Sequence, residues 1–435
     1  MKRPIIITLL VLALLLVMAG IGAVVFFAVR GSGFAFIDMP NYSATAEESK
    51  TLKVDIKEPV VLTVEDDAGD VTVIGGDVKA VEVKIVKTGN APTQSRAEED
   101  LKNIKYEIKQ EGNQISLLYK LDGIQNIQTT HIDNVDFIVT VPTEATVNVD
   151  NGFGTAEVTD IQGDVEISND FGNITAQNIE GAFSVDTSSG EIEVINVDAG
   201  DQNVKIDADF GDIKLEKING KDITITSNSG TLELVNVRAT GSFDAKSDFG
   251  DVTFENGSAA SVTLETSSGH VTLTKVNISG DLLITNDFGD LELNQTMADS
   301  YNLTSNSGSI TIDGAKNEVT AHTDFGNIVV KNAKNAILDL TSNSGAIEFS
   351  GSLGDGPHTL QSDFGDINLA LPTDTKLTVD LKTDFGNIES DLPITVTLTG
   401  NSDSDKSQIV GSINGGGAQL NVQTNSGGIT INAIK

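Results

Sequence analysis

Pairs of carboxylates recur in this sequence around a short motif, Asp-Phe-Gly, that is followed by Asp or Asn. Eight aspartates form four such pairs, one residue two positions before the glycine and one directly after it: Asp209 and Asp212, Asp248 and Asp251, Asp287 and Asp290, Asp363 and Asp366. Carboxylate and amide oxygens are the ligands that calcium prefers. Asp and Asn side chains also hydrogen-bond to nearby backbone and support turns. Calcium binding and turn chemistry both remain open, and turn chemistry is favoured.

Catalytic chemistry is not predicted. The four histidines, His131, His270, His322 and His358, fall at unrelated places in the pattern, and we expect His270 and His322 to lie on the solvated surface. His358 replaces an apolar residue beside Pro357, which indicates a local irregularity. The uniform spacing leaves little room for loops that build a pocket. No cofactor is therefore expected, and a polysaccharide-acting enzyme is kept only as an alternative.

The glycine of the motif belongs to a repeat. Eleven glycines follow one another from Gly172 to Gly365 in steps of about 19 residues, and the preceding residue alternates between Phe and Ser without exception. Adding Gly154, Gly386 and Gly427 gives fourteen anchors. A repeat this regular is typical of a stack, which presents surfaces more often than active sites.

Apolar residues alternate with polar ones on both sides of each glycine. Around Gly211 they are Val204 and Ile206 before it and Ile213 and Leu215 after it. A period of two indicates strands with one buried face. The sequence therefore predicts an all-β fold, a parallel β-solenoid (β-helix, expected to be right-handed) with about 14 repeats of about 19 residues.

The length of one coil remains open, with about 19 residues favoured over about 39. In the longer coil, successive Asp rows would lie about 4.8 Å apart and could share an ion, whereas the shorter coil separates them by about 9.6 Å. Counting alternation from the inward residues places the Phe before each glycine inward, in the core. The Ser, Thr and Asn three residues before the glycine share that parity, so buried hydroxyl or amide ladders are expected.

The N-terminal part predicts a membrane anchor. Ile5 to Val29 carry no charge and are long enough to span a bilayer. Because Lys2 and Arg3 outweigh Arg30, the N-terminus is expected in the cytoplasm and the solenoid outside the cell membrane. An uncleaved signal anchor is favoured over a cleaved signal peptide because the apolar run exceeds the usual signal-peptide core.

Four segments are expected along the chain: a cytoplasmic tip and transmembrane anchor at 1–30, a stalk at 31–50, a β-rich cap at 51–141 and the solenoid at 142–435. Within the cap, Ser95 and Glu98 match a capping box, which predicts a short helix at 95–103. Strands are expected at 104–109, 114–120 and 135–141. Such an atypical terminal unit would cover the exposed edge of the stack.

The sequence resembles the bacterial putative adhesin family in the order of its features. These are the anchor, the Gly-Asp-Val opening at Gly69 to Val71, the helix-bearing insertion, the Val141-Pro142 hinge and the serial Ser-Gly and Phe-Gly-Asp coils. The resemblance covers roughly residues 50 to 435. It implies a β-helix at the cell envelope with roles in adhesion or envelope stress, and it brings no catalytic residues.

The charge restricts the partners. With 28 basic and 63 acidic residues the formal net charge is −35, so a nucleic-acid partner is not expected. An anionic membrane surface would repel the solenoid and keep it projected outward. The sequence thus predicts a non-enzymatic surface protein that adheres to envelope or extracellular glycans or proteins. Its alternatives are an envelope-stress sensor that attracts cationic peptides and, third, a polysaccharide-acting enzyme.

Overall fold

The structure, a computed structural model, describes residues 41–121, 131–396 and 408–434. These residues form strands almost throughout, with a single helix among them. No helix within these three ranges is long and apolar enough to cross a membrane. The predicted anchor, Ile5 to Val29, lies outside the described residues.

The stack begins with a group of mixed pairing. Its elements are β1 (Tyr42–Lys53), β2 (Val60–Asp66), β3 (Val71–Gly76), β4 (Ala80–Ala91), α1 (Gln94–Asn103), β5 (Tyr106–Glu111), β6 (Gln114–Tyr119), β7 (Asn134–Pro142), β8 (Ala145–Phe153) and β9 (Ala156–Gln162). The helix and the three strands predicted for the cap are confirmed within a few residues. The helix begins after Thr93 with no side-chain cap, so the predicted capping box does not form.

The middle of the stack repeats one pattern of strand, glycine and strand. Its strands are β10 (Val165–Phe171), β11 (Ile174–Glu180), β12 (Phe183–Ser189), β13 (Ile192–Asp198), β14 (Val204–Phe210), β15 (Ile213–Gly220), β16 (Ile223–Ser229), β17 (Leu232–Val235), β18 (Arg238–Ala239), β19 (Ser242–Phe249), β20 (Val252–Glu255), β21 (Ser258–Ala259), β22 (Ser261–Ser268), β23 (Val271–Thr274), β24 (Asn277–Ile278), β25 (Asp281–Phe288), β26 (Leu291–Asn294), β27 (Ser300–Ser307), β28 (Ile310–Asp313), β29 (Lys316–Phe325), β30 (Ile328–Ser342) and β31 (Ile347–Leu353). All pair in parallel, along one ladder before the glycines and one after them, and the short strands β18, β21 and β24 form a third ladder beyond the second bend.

One coil contains about 19 residues. Val165 pairs with Phe183, Val204 with Ile223 and Val252 with Val271, offsets of 18 and 19 residues. The alternative of about 39 residues per coil is therefore wrong. About eleven turns follow in chain order, and the last two of the fourteen anchors, Gly427 and Gly386, continue the stack in exchanged order.

The core is a continuous column of aliphatic side chains. In the coil of Gly211, Val204, Ile206, Ile213, Leu215 and Ile218 are all buried. The fifth of these lies seven residues after the glycine, beyond a second bend that sequence reasoning missed. At this bend the residue six after the glycine has a positive φ, as in Asn178 (56°), Asn196 (60°) and Lys217 (57°). Asn side chains tolerate this conformation, so their recurrence at this spacing was the available signal.

Both ends of the stack exchange the order of their coils. The C-terminal strands are β32 (His358–Phe364), β33 (Ile367–Pro372), β34 (Leu377–Phe385), β35 (Ile388–Ser390), β36 (Ile394–Val396), β37 (Gln408–Ile413), β38 (Ala418–Ser426) and β39 (Ile429–Ile434). The coil of β38 and β39 lies between that of β32 and β33 and that of β34 and β35. At the N-terminal end the coil of β2 and β3 lies between two coils that come later in the chain. β6 and β7 pair with it on its outer side, and β8 and β9 pair with it on the side of the middle coils.

Antiparallel strands cover these ends. At the N-terminal end β4 pairs with β7 and with β1, and α1 packs on β1 and β4. Because β1 begins at Tyr42, the second part of the segment expected as a stalk belongs to this cap. At the C-terminal end β37 pairs with β34 and β36, in the long gap between Gly386 and Gly427.

Candidate binding face

The glycine corner turns the chain from the first ladder to the second. A Cβ on Gly250 would lie 2.0 Å from the carbonyl oxygen of Gly230, and its φ is +139°. The equivalent glycines of neighbouring coils stack on one another in the same way. No larger residue fits this close approach, so the corner is set by glycine at every coil.

The two residues before the glycine both point outward. Parallel pairing joins Ala208 to Ser227, skips Asp209 and resumes between Phe210 and Ser229. The break interrupts the inward–outward alternation of the strand just before the corner. For this reason the prediction that the Phe residues lie in the core is wrong.

These residues form an exposed row along one edge of the solenoid, here called the phenylalanine row. Their exposed fractions rise from 45% near the N-terminal end to 78% at the other: Phe153 45%, Phe171 49%, Phe210 59%, Phe249 61%, Phe288 61%, Phe325 65%, Phe364 65% and Phe385 78%. Most are separated by a coil with serine in the same position, as Phe210, Ser229 and Phe249 show. The rings of such a series recur about every 9.6 Å, two coil spacings.

Along the stack, Phe and Ser alternate even at the C-terminal end, where their order in the sequence does not alternate. In the sequence Phe364 is followed by Phe385 at the next anchor, and Ser426 comes last. Because the C-terminal coil is inserted between the other two, Ser426 pairs with Phe364 on one side and Phe385 on the other. At the opposite end Phe153 and Phe171 are direct neighbours, stacked with centroids 5.2 Å apart and planes 9° from parallel.

Aspartates flank the row on both sides. Two residues before the glycine, the Oδ1 atoms of Asp209, Asp287 and Asp363 accept hydrogen bonds from an Asn side chain of the neighbouring coil at 2.7, 2.7 and 3.1 Å. Asp248 holds the same place in its own coil. Directly after the glycine, Asp212, Asp251, Asp290 and Asp366 each accept a backbone N–H from the next coil, at 2.7 to 2.8 Å.

These contacts bear on the calcium hypothesis. The carboxylates support corners, as turn chemistry predicts, but each links its coil to the next coil. Within the described ranges no group of three or more acidic, His or Cys side chains is placed to hold a metal ion. With a coil of about 19 residues, equivalent aspartates lie about 9.6 Å apart.

Three residues before the glycine lies a buried column of small polar side chains. The hydroxyls of Ser305, Thr323 and Ser342 donate to the carbonyl oxygens of Gly289, Gly308 and Gly326 at 3.1, 2.8 and 2.9 Å. The expected burial is confirmed. The partners of these three hydroxyls, however, are corner carbonyls of the preceding coil, whereas Thr187 donates to the backbone carbonyl of Asn169 within the column.

Asp66 occupies this column at the N-terminal end. It is 1% exposed, lies opposite Asn151, and accepts the backbone N–H of Ala68 on Oδ1 at 3.1 Å. Burial raises its pKa to about 8, and the nearby carboxylate of Asp136 adds to the effect. The first coil thus carries an acid where the middle coils carry neutral groups.

The histidines do not converge. His270 is exposed beside Asp290, and His322 is half-exposed beside Asp324. His358 is fully buried, its Nδ1 accepts the N–H of Leu338 at 3.3 Å, and burial lowers its pKa. It replaces a core residue, as the sequence indicated. The phenylalanine row with its aspartates is the face that this arrangement offers for binding.

A family model described as Toastrack DUF4097 matches residues 59–277 and 255–432. A crystal structure of a "putative cell adhesion protein" from Clostridium sporogenes covers 90% of this chain and 100% of its own, with 10% identity and a TM-score of 0.17. That of a "putative adhesin" from Bacteroides fragilis covers 66% and 96%, with 14% identity and a TM-score of 0.28. At these TM-scores neither superposition supports an argument about function. No curated protein matches the sequence.

Proposed function

The chain belongs to the Toastrack DUF4097 family, and we propose that it is a non-enzymatic cell-surface adhesin whose binding face is the phenylalanine row. Its ligand is an envelope or extracellular glycan or protein. The solenoid is a rigid spacer that carries the row along its length. Adhesion needs this kind of extended, repeated contact surface, whereas catalysis needs a pocket.

The observation that carries the proposal is the exposure of phenylalanine where serine is equally compatible with the fold. Phe249 is 61% exposed, while Ser229 and Ser268 take the same position in the adjoining coils. The fold therefore gains little from the aromatic rings. Large exposed apolar patches usually mark an interaction surface, and we extend that reading to this regularly repeated row of exposed rings.

The anchor and the charge complete the proposal. Ile5 to Val29 hold the protein in the cell membrane with the N-terminus in the cytoplasm and the solenoid outside. The net charge of −35 keeps the solenoid soluble and repels it from anionic lipid. The phenylalanine row is then presented away from the membrane surface.

A sensor of envelope stress is the second candidate, and one observation favours it. Each Phe of the middle coils lies beside at least one aspartate, and Phe288 lies between two, Asp287 and Asp290. Such a surface attracts amphipathic cationic peptides. A sensor would bind these peptides in a salt-sensitive way and would not make the cell adhere.

Cells that display the full chain test the proposal. The variant Phe249→Ser/Phe288→Ser/Phe325→Ser removes three central rings with residues that the fold already uses at this position. We expect adhesion to wall glycan or matrix protein to fall about tenfold or more, a loss of roughly 1.4 kcal/mol or more, at equal surface abundance. The control is Met297→Ser, which removes an exposed apolar side chain (44% exposed) outside the row. Unchanged adhesion of the triple variant would refute the proposed face.

A further inference from the structure

We propose that the ligand of the phenylalanine row is a basic, proline-rich peptide segment in polyproline II conformation with a three-residue repeat. This inference rests on the proposed function and specifies its partner. It follows from the period of the row, the shape between its rings and the charges beside them.

The period selects the conformation of the ligand. From Phe210 to Phe385 a ring stands on every second coil, about 9.6 Å apart. A polyproline II helix repeats every three residues, about 9.3 Å. The mismatch is about 0.3 Å per ring, so five steps accumulate about 1.5 Å, less than the width of a ring.

Other peptide conformations do not keep this register. Side chains on one face of an extended strand recur about every 6.8 Å, and an α-helix has a pitch of 5.4 Å. Either would fall out of phase with the second ring. A peptide that contacts many rings at once must therefore repeat with the period of a polyproline II helix.

The shape between the rings fits proline. Serine in the intervening coil, such as Ser268 between Phe249 and Phe288, leaves a notch between two aromatic rings. Proline rings pack into clefts between aromatic side chains in known polyproline II recognition. Because the polyproline II helix is already ordered before binding, little conformational entropy is lost on docking.

The charges select the third residue of the repeat. Asp248 and Asp251 flank Phe249, and Asp287 and Asp290 flank Phe288, each half-exposed or exposed. Carboxylates therefore recur with the same period as the rings. A Lys or Arg at every third position of the peptide would meet them in phase, which neither a neutral glycan nor a second copy of this acidic chain would do.

Labelled peptides test the inference on the full chain in detergent micelles. The probe has six Pro-Pro-Lys repeats, and its control has the same composition as three repeats of Pro-Pro-Pro-Pro-Lys-Lys. We expect the probe to bind about tenfold more tightly than the control and to strengthen with each repeat added from two to six. Phe249→Ser/Phe288→Ser/Phe325→Ser should lose this preference, and Met297→Ser should keep it.

Several outcomes would overturn the inference. Equal affinity for the two peptides would indicate charge attraction alone, and a plateau after one repeat would show that the rings do not act in series. Wall-glycan fragments that bind the row in place of the probe would identify a glycan ligand, and association of the chain with itself would identify a second copy. If the triple variant loses cell adhesion but no peptide binds, the proposed function stands and this inference fails.

Discussion

The middle of the solenoid and its two ends are built from the same coil but connect it differently. In the middle, each coil lies on the one that precedes it in the chain, as β14, β16 and β19 do. At the ends the chain passes over one level and returns, so that β38 lies between β32 and β34. The outermost coil is thus not the last in the sequence, and it cannot separate from the stack as a free chain end.

This difference shows that the repeat constrains each coil through its neighbours in the stack and not through its place in the sequence. The Gly stack continues from Gly365 to Gly427 and then to Gly386, and the Phe–Ser alternation follows the same order. A coil must match the coil above and below it, whatever its place in the chain. This view leads to predictions that differ between the middle and the ends.

The largest effect is expected from removal of the inserted coil. A chain that stops after Gly417 loses Leu420, Val422, Ile429 and Ile431, all buried and together worth roughly 6 to 12 kcal/mol of gross burial. Because these side chains separate two other coils, hydrogen exchange should show lost protection across residues 358–396. Residues 165–290 should keep theirs, since repeats depend on neighbours only.

The matched control for this truncation stops after Asn432, which removes only exposed residues of β39 and the last residue of the chain. We expect its exchange pattern to equal that of the full chain except near Thr373, whose N–H donates to the carbonyl of Ile434. Protection that persists across residues 358–396 in the longer truncation would contradict the inserted arrangement.

A glycine corner in the middle gives the next largest effect. Gly250→Ala places a Cβ against the Gly230 carbonyl in a conformation that L-residues avoid, so the free energy of unfolding should fall by about 3 to 5 kcal/mol. Gly112→Ala in the hairpin between β5 and β6 also has positive φ (+62°), but nothing lies within 4 Å of its Cβ position. It should cost about 1 kcal/mol. Equal losses in chemical denaturation would show that close stacking is unimportant.

Asp66 distinguishes the N-terminal end from the middle through pH. With its pKa raised to about 8, folded Asp66 holds a proton that the unfolded chain releases above its normal pKa of 3.8. Stability is therefore lost as pH rises from about 4 to about 8, by up to about 1.4 kcal/mol per pH unit. Asp66→Asn should remove this slope and gain roughly 3 kcal/mol over the wild type between pH 5 and pH 7.

The control for Asp66→Asn is Asp201→Asn, an exposed aspartate in the middle of the stack. This variant makes the same substitution away from the buried site and so shows the effect of the substitution itself. The measurement is the unfolding free energy by denaturant at several pH values. A constant difference for Asp66→Asn would mean that Asp66 is ionised in the folded state.

Much of the fold could be predicted from sequence because it depends on local periodicity. The glycine spacing and the alternation around Gly211 predicted the parallel solenoid, and membership of the resembled family is confirmed. The exchange of coils could not be predicted, since Gly365, Gly386 and Gly427 obey the same local rule in any order. The exchange of coils left one sign in the sequence, since two Phe anchors, Phe364 and Phe385, follow each other before Ser426.

The candidate site was harder to predict because it depends on the end of one strand. The alternation of inward and outward side chains that starts at Val204 and Ile206 continues to Ala208. It stops at Asp209, where the pairing between the strands skips a residue. One bulged residue turns Phe210 from the expected core to solvent. The local pattern therefore predicted the core correctly but placed the residues of the phenylalanine row inside the core, whereas they are exposed.

A smaller effect is expected from Ser426→Phe, which puts three rings in successive coils at the C-terminal end. Ser426 is exposed, and Phe153 and Phe171 show that adjacent rings can stack. The free energy of unfolding should therefore change by no more than about 0.5 kcal/mol. Binding should weaken at that end, because the notch between Phe364 and Phe385 is filled. A large loss of stability would show that serine has a structural role in the row.

The smallest effect is expected from calcium, in the middle and at the ends alike. Calcium takes six to eight oxygens, which requires several carboxylates close together, whereas the row alternates each Asp with Asn or Ser from the next coil, as Asp287 with Asn306. Thermal unfolding should therefore shift equally with calcium and magnesium at matched ionic strength. A saturable rise with calcium alone that Asp287→Asn/Asp290→Asn abolishes would place an ion in the middle coils. If only Asp363→Asn/Asp366→Asn abolished it, the ion would lie at the C-terminal end, in the coil of β32 and β33, and the two regions would differ in chemistry as well as in chain order.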